Sequence, residues 1–245
     1  MLFEKHRYFG DCNVNERFAN TSLRLPLVVE RHNYERDQKM KNLTIRLETE
    51  KDYRITEELT REAFWNVYRP GCYEHYVLHT LRSDPDFIHE LDFVMELDGR
   101  IIGHVMFMHA ELTRSDGSVL PIMTFGPISI HPDFQRKGYG KKLLDFALDK
   151  ARAIGAGAIC IEGNINFYGK CGFTVASDRG LHYHNEPENA EVPYFLVCEL
   201  KEGFLDGKGG TYCPPTGYFV SEADVEEFDK SFVPKQKLKL PGQLF

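Results

Sequence analysis

The chain has 245 residues, 42% hydrophobic and 27% charged, with 30 Lys and Arg against 37 Asp and Glu. This globular balance leaves a net charge of -7, which excludes a partner held mainly by phosphate neutralisation, because non-specific nucleic-acid affinity needs clustered cations. Six dispersed cysteines form no C-x-x-C pair, and no uncharged apolar run approaches the ~20 residues of a membrane span, so the expectation is a cytoplasmic protein with neither nucleic-acid nor membrane partners.

Residues 1–41 carry no sustained period and read as an N-terminal arm or extension, with Met40 itself a plausible protein start. Residues 43–47 alternate as a half-buried strand does, and Thr49-x-x-Asp52 resembles a capping box with Asp in the Glu position. The helix that follows places Ile55, Leu59 and Ala63 at four-residue spacing, widened by Phe64 and Val67, until Arg69-Pro-Gly stops it. That stripe is the face expected to pack on a core. A second helix is expected from about residue 73 to 81. On it His75 and His79 stand one turn apart, but Glu74 precedes the first, which is not the H-E-x-x-H order, and the pair reads as a solvated face.

Two strands over 92–97 and 101–109 are joined by Asp98-Gly99, the pair that supplies the positive φ angles of a tight hairpin. Ser115-Asp-Gly117 turns the chain into a long strand over 119–130. Its Pro127 cannot donate a ladder hydrogen bond, so the strand must lie at an edge, be bulged, or splay from one neighbour there. His131 before Pro132 ends it. Residues 138–154 make the strongest helix, with Leu143, Leu144, Ala147, Leu148, Ala151 and Ile154 in one stripe and Gly155 at the C′ position. A buried strand over 158–161 follows within a few residues and completes a βαβ arrangement. A short helix over 165–170, a strand starting at Phe173 and another near 194–200 come next. From Lys201 the chain is Gly/Pro-rich, then acidic over 222–229 and basic over 235–239, which reads as a C-terminal extension packed on the domain with a solvated basic tail. His182-x-His184 with Cys198 and Cys213 matches no zinc spacing and reads as loop, so no metal is expected.

The segment Gln135-Arg136-Lys137-Gly138-Tyr139-Gly140 lies between an apolar strand and a strongly amphipathic helix. Its backbone N–H groups point at whatever occupies the helix N-terminus, which attracts an anion, and Arg136, Lys137 and Lys141 add positive charge where a pyrophosphate would rest. It is neither Walker A nor the Rossmann fingerprint.

The spacing Q-x-x-G-x-G, preceded by Ile128-Ser129-Ile130-His-Pro-Asp-Phe and followed by a helix, a strand and Phe167-Tyr168-Gly-Lys-Cys-Gly-Phe173, resembles the GCN5-related N-acetyltransferases (GNAT family). Leu81-Arg82, Gly103-His104, Gly126-Pro127 and Gly163-Asn164-x-x-Phe167-Tyr168-Gly-x-Cys-Gly-Phe173 look like the bacterial YhbS-type branch. The resemblance covers about residues 42–200. It implies a mixed α/β (α+β) fold with a mostly antiparallel central sheet and a splayed parallel strand pair, with acetyl-CoA, the acyl-donor cosubstrate, lying in the gap. Carried over by position, the backbone of Ile128, Ser129 and Ile130 lies along the thioester and pantetheine. The loop from Gln135 to Lys141, with Arg136, Lys137, Gly138, Tyr139 and Gly140, holds the pyrophosphate, and Asn164 and Phe167 complete the cofactor-binding set.

The reaction so implied is direct acetyl transfer to a primary amine of a small molecule or peptide in a ternary complex. Tyr168 lies where many relatives place the acid that protonates the departing sulfur; a tyrosine that simply packs the short helix is the other reading. Histone-type relatives carry a glutamate four positions before the residue matching Ile128, but here that residue is Thr124, which takes no proton at neutral pH. Glu162 is the first candidate for the base, against an exposed strand-end carboxylate, with His109 and Glu111 after it. An acyl-CoA-binding regulatory protein without turnover, or an enzyme for hydroxyls or longer acyl chains, would use the same cleft. The acceptor stays open, as does the choice of monomer or homodimer.

Overall fold

The structure is a computed structural model that describes residues 42–187, 190–207 and 209–244. The arm expected over 1–41 lies outside them. In chain order the elements are β1 (Leu43–Leu47), α1 (Tyr53–Phe64), α2 (Glu74–Leu81), β2 (Phe93–Leu97), β3 (Arg100–Thr113), β4 (Val119–Ile130) and α3 (Tyr139–Ala153), then β5 (Ala158–Glu162), α4 (Ile165–Tyr168), β6 (Thr174–Val175), β7 (Leu181–Tyr183), β8 (Phe195–Glu199), β9 (Gly210–Tyr212) and α5 (Glu222–Asp229). The strands form one mixed sheet in the order β1-β2-β3-β4-β5-β8-β6, with β9 joining β3 and β7 off that path. All pairs are antiparallel except β4 with β5 and β7 with β9.

Asp98 and Gly99 both have positive φ, 52° and 81°, and close the β2–β3 hairpin as their residue types require. The α3 stripe of Leu143, Leu144, Ala147, Leu148 and Ala151 packs on one face of the sheet against Phe93, Ile102, Val105, Phe107, Ile159 and Ile161. Each fully buried leucine there stabilises the fold by about 2 kcal/mol. The helix stops as a Schellman turn, with Gly155 at φ 93°, the Gly155 N–H donating to Arg152 O and the Ala156 N–H to Ala151 O. Ile154, expected in the stripe, is instead the half-exposed C-cap.

The other face of the sheet takes α1 and α2, and here the expected apolar stripe is fully buried only at Leu59. Ile55 and Val67 are exposed, while α1 buries Thr56, Glu57, Leu59, Thr60 and Arg61. The polar face has partners far away in sequence. Arg82 donates to Glu48 through Nε (3.1 Å) and Nη2 (3.0 Å) and to Glu57 through Nη1 (2.9 Å), and Thr56 donates to Glu48. His104 Nε2 donates to Asp92 Oδ1 at 2.8 Å. Burial alone would lower the His104 pKa, but its bonds to Asp92 and Glu48 raise it to about 9, so it is an imidazolium at neutral pH. Glu48, Asp92 and His104 are close enough to share a cation, and the Arg82 guanidinium supplies the positive charge on Glu48. Thr49 is no N-cap: Asp52 takes that position and accepts from Thr49 N and Oγ1 while pairing with Arg46.

Removing the Arg82 charge strands Glu48 and Glu57, whose side chains are 0% and 7% exposed. Arg82→Met is therefore expected to lower the unfolding free energy, measured in urea, by about 3–5 kcal/mol. A loss below about 1 kcal/mol would be that of a surface pair and would contradict the buried assignment.

The C-terminal stretch also departs from expectation. Ser221 caps α5, and Asp229 accepts from Arg61 at 2.6 and 3.1 Å. His75, expected on a solvated face, is fully buried, 3.2 Å from Asp229; burial pushes its pKa down to about 4 and it stays neutral. The basic run is no solvated tail: Lys235 pairs with Glu62, Lys237 with Glu226, and Trp65 donates to the Gln236 carbonyl. His182 lies within β7, a strand not expected from sequence, and β9 likewise draws the extension into the sheet.

Candidate functional site

The parallel contact between β4 and β5 has one paired position, Met123 with Ile159, after which the strands part. The departure has a local cause. Along β3 and β4, Phe107 faces Phe125 and Val105 faces Ile128, so Gly126 and Pro127 together stand opposite Met106. That two-to-one register is a β-bulge, and it bends β4 away from β5 where proline offers no N–H to hold it.

Beyond the bulge the backbone of β4 faces two ways. The His131 N–H donates to Ile102 O, so residues 129 and 131 spend their backbone groups on β3, and Ile128 and Ile130 aim theirs into the gap. The Ile130 carbonyl accepts from Gln135 Nε2 at 2.9 Å, tying the loop before α3 to the gap's edge. Ser129, grouped with these residues from the sequence, does not face the gap. Its side chain is buried under α1, 2.9 Å from Thr60 Oγ1.

The loop reaches α3 through Arg136 at φ 59° and Gly138 at φ 83°. Gly138 is the N-cap, no side chain caps the helix, and its first turn carries no acid, so its leading amides lack intrahelical partners. A Cβ built on Gly138 would meet nothing within 4 Å, which leaves open space at a positive helix end. Arg136, Lys137 and Lys141 surround it; Lys137 donates to Asp133 O at 2.6 Å, and Lys141 pairs with Asp145 at 2.6 Å. Tyr139 rests edge-on to Phe134. Gly140 lies against α4 and β4: a Cβ there would make ordinary contacts, 3.5 Å from Phe167 and 3.6 Å from Ile130. Asn164 caps α4, accepting from Asn166 N at 2.9 Å.

Tyr168 stands at the gap, its ring flanked by Phe125, Phe167 and Phe173. Any side chain at Gly163 would strike that ring, so the glycine sets the tyrosine's place. Burial pushes the Tyr168 hydroxyl pKa up, and it carries its proton at neutral pH.

Glu162 ends β5 on the same face as Cys160, with Tyr183, Phe195 and Tyr212 beside it, opposite the α3 face. The residue is exposed, yet protein crowded around its carboxyl raises its pKa. The Tyr183 hydroxyl donates to Oε1 at 2.5 Å. Thr124 is buried beside the Tyr212 and Tyr218 hydroxyls. His109 and Glu111 alternate out of this arrangement: Met108, Ala110 and Leu112 share the Glu162 side of the sheet, leaving both on the α3 side of β3. Sequence reasoning missed Tyr183, Tyr212 and Tyr218, which lie on elements too short to carry a period. A surface hollow of about 520 Å³, lined by Asp52, Glu58, Glu62, Glu96, Arg100 and His131 among others, lies beside α1 and the β2–β3 turn.

Residues 53–173 match the model of the acetyltransferase (GNAT) family. An uncharacterized N-acetyltransferase of Escherichia coli (strain K12), YjhQ, is 25% identical over 92 residues, 37% of this chain and 50% of that protein, so the match spans half of that relative's length. The crystal structure of the GNAT family N-acetyltransferase YhbS from Escherichia coli is similar with TM-score 0.61 and 23% identity over 73% of this chain and 92% of that one. A GNAT family acetyltransferase from Brucella melitensis follows with TM-score 0.58 and 22% identity over 73% and 99%. At these identities the structural likeness speaks for the fold. The sequence match, the mixed sheet and its parted strand pair point the same way: residues 53–173 form a domain of the acetyltransferase (GNAT) family.

Proposed function

We propose that the protein is an N-acetyltransferase that moves the acetyl group of acetyl-CoA to a primary amine of a small molecule or peptide by direct attack. The observation that carries this reading is the gap itself, with the backbone of Ile128 and Ile130 facing into it and the uncapped α3 N-terminus at its end. The YhbS and Brucella structures are complexes with CoA and acetyl-CoA, which supports that donor for a chain of the same fold.

In this reading the pyrophosphate lies against the amides from Arg136 to Lys141, where helix dipole and basic side chains favour an anion. The pantetheine runs beside Ile128 and Ile130, with Phe167 closing over Gly140. The ammonium gives one proton to Glu162 and the resulting amine attacks the thioester carbon; the new C–N bond forms and the oxyanion is held by backbone N–H at Ile128. The C–S bond then breaks as Tyr168 protonates the leaving thiolate, and the extra proton still on the new amide nitrogen passes through solvent to restore the Tyr168 hydroxyl. Glu162 suits the base because its raised pKa brings it nearer neutrality, and Tyr168 suits the acid because its proton stays on.

The experiment is release of CoA thiol from acetyl-CoA against a panel of amines, polyamines, aminoglycosides, amino acids and peptides. Turnover with at least one amine is expected; saturable acetyl-CoA binding without turnover across the panel would replace this reading with a regulatory binder.

A further inference from the structure

The segment after residue 201 enters the face of the sheet that carries Glu162. Tyr212 sits in β9, fully buried and stacked on Phe195. Tyr218 ends a tight turn seated on α2: a Cβ at Gly217 would lie 2.5 Å from Asp84 Oδ2 and 2.6 Å from a Leu81 methyl, so any side chain there would push those groups aside. From that seat the Tyr218 hydroxyl donates to Gly126 O at 3.1 Å, two positions before Ile128. Tyr218 lies deep at the gap yet is only half-buried.

Three polar groups of this wall, the Tyr218 and Tyr183 hydroxyls and the Glu162 carboxylate, share one character. The Tyr218 hydrogen is spent on Gly126 and the Tyr183 hydrogen on Glu162, so both oxygens present lone pairs, and the Glu162 carboxylate only accepts. Among the described residues no lysine, arginine or histidine acts on the Glu162 carboxyl. A carboxylate, two accepting hydroxyl oxygens and tyrosine rings, with no cation on the carboxyl, suit a donor-rich ammonium group on an apolar body. It opposes a second carboxylate, which would meet Glu162 with nothing to offset the repulsion.

We propose that the C-terminal segment builds the acceptor wall of the cleft, that Tyr218 touches the acceptor, and that the wall selects amines lacking a carboxylate beside the nitrogen over free amino acids. This rests on the acetyl-transfer reading above and names its acceptor class.

Phenethylamine and phenylalanine, which differ by that one carboxylate, serve as probes with the full chain loaded with acetyl-CoA; their binding is followed by saturation-transfer NMR and their turnover by thiol release. Phenethylamine is expected to be favoured in kcat/KM, or in affinity, by at least about a hundredfold. Tyr218→Ala is expected to raise its KM by about tenfold or more, and Tyr218→Phe by less, while acetyl-CoA affinity stays within about twofold. Equal handling of the two probes, binding of neither, or an unchanged phenethylamine KM in Tyr218→Ala of unaltered thermal stability would each overturn the proposal. Failure of the wild-type protein to bind acetyl-CoA would instead remove the acetyl-transfer reading beneath it.

Discussion

Gly138→Glu is expected to weaken acetyl-CoA binding by at least about a hundredfold, or about 2.7 kcal/mol. Two independent costs produce the loss. The backbone at Gly138 sits at φ 83°, where a side chain costs about 1–2 kcal/mol, so the unbound loop of the variant relaxes and binding has to restore that geometry. A carboxylate would also stand in the open space at the α3 N-terminus, where the dipole and Arg136, Lys137 and Lys141 favour an anion from the ligand. Gly138→Ala separates the two, because it carries the backbone cost without the charge, and its affinity is expected to fall between wild type and Glu. Calorimetry reads all three; equal affinities for wild type and Gly138→Glu would remove the pyrophosphate from this loop.

The second large effect belongs to the proposed acid–base pair. Glu162→Gln is expected to lower kcat by about 10²–10⁴-fold with acetyl-CoA affinity unchanged. The pH profile assigns the role. Crowding raises the Glu162 carboxyl, so wild-type kcat/KM should fall as pH drops through a value above the ~4.3 of an ordinary glutamate, and Glu162→Gln should lose that limb. The groups facing this carboxyl are Tyr183 from β7 together with Tyr194, Tyr212 and Tyr218, all of which hold their protons at neutral pH, so the limb belongs to Glu162. Tyr168→Phe should lower the plateau and leave the limb in place, since the Tyr168 hydroxyl titrates far above neutrality. A Glu162→Gln enzyme with the wild-type limb would return Glu162 to a strand-end carboxylate, and a fully active Tyr168→Phe would leave that ring as packing.

Features set by local chemistry were legible in the sequence. Asp98-Gly99, Gly155 and the stripe of α3 each specify a backbone conformation or a buried face within a few residues, and Pro127 announced the parting of β4 because a missing N–H is visible in a sequence. Features set by distant partners were not. The buried face of α1 reads as solvent-exposed until Glu48, Arg82 and Asp229 arrive from three other places in the chain. The motif residues Arg82 and His104 were recognisable as a pattern, but that both converge on Glu48 follows only from the fold. At the site Glu162 stood out as a carboxylate at a strand end. Its companion Tyr183 did not, because β7 and β9 have three residues each, too few for an alternating period to register.

A calorimetric titration of acetyl-CoA into the full chain should show saturable binding at one site per chain, lost in Gly138→Glu. Absence of binding by the wild-type protein would contradict the assignment of the gap between β4 and β5 as an acyl-CoA cleft.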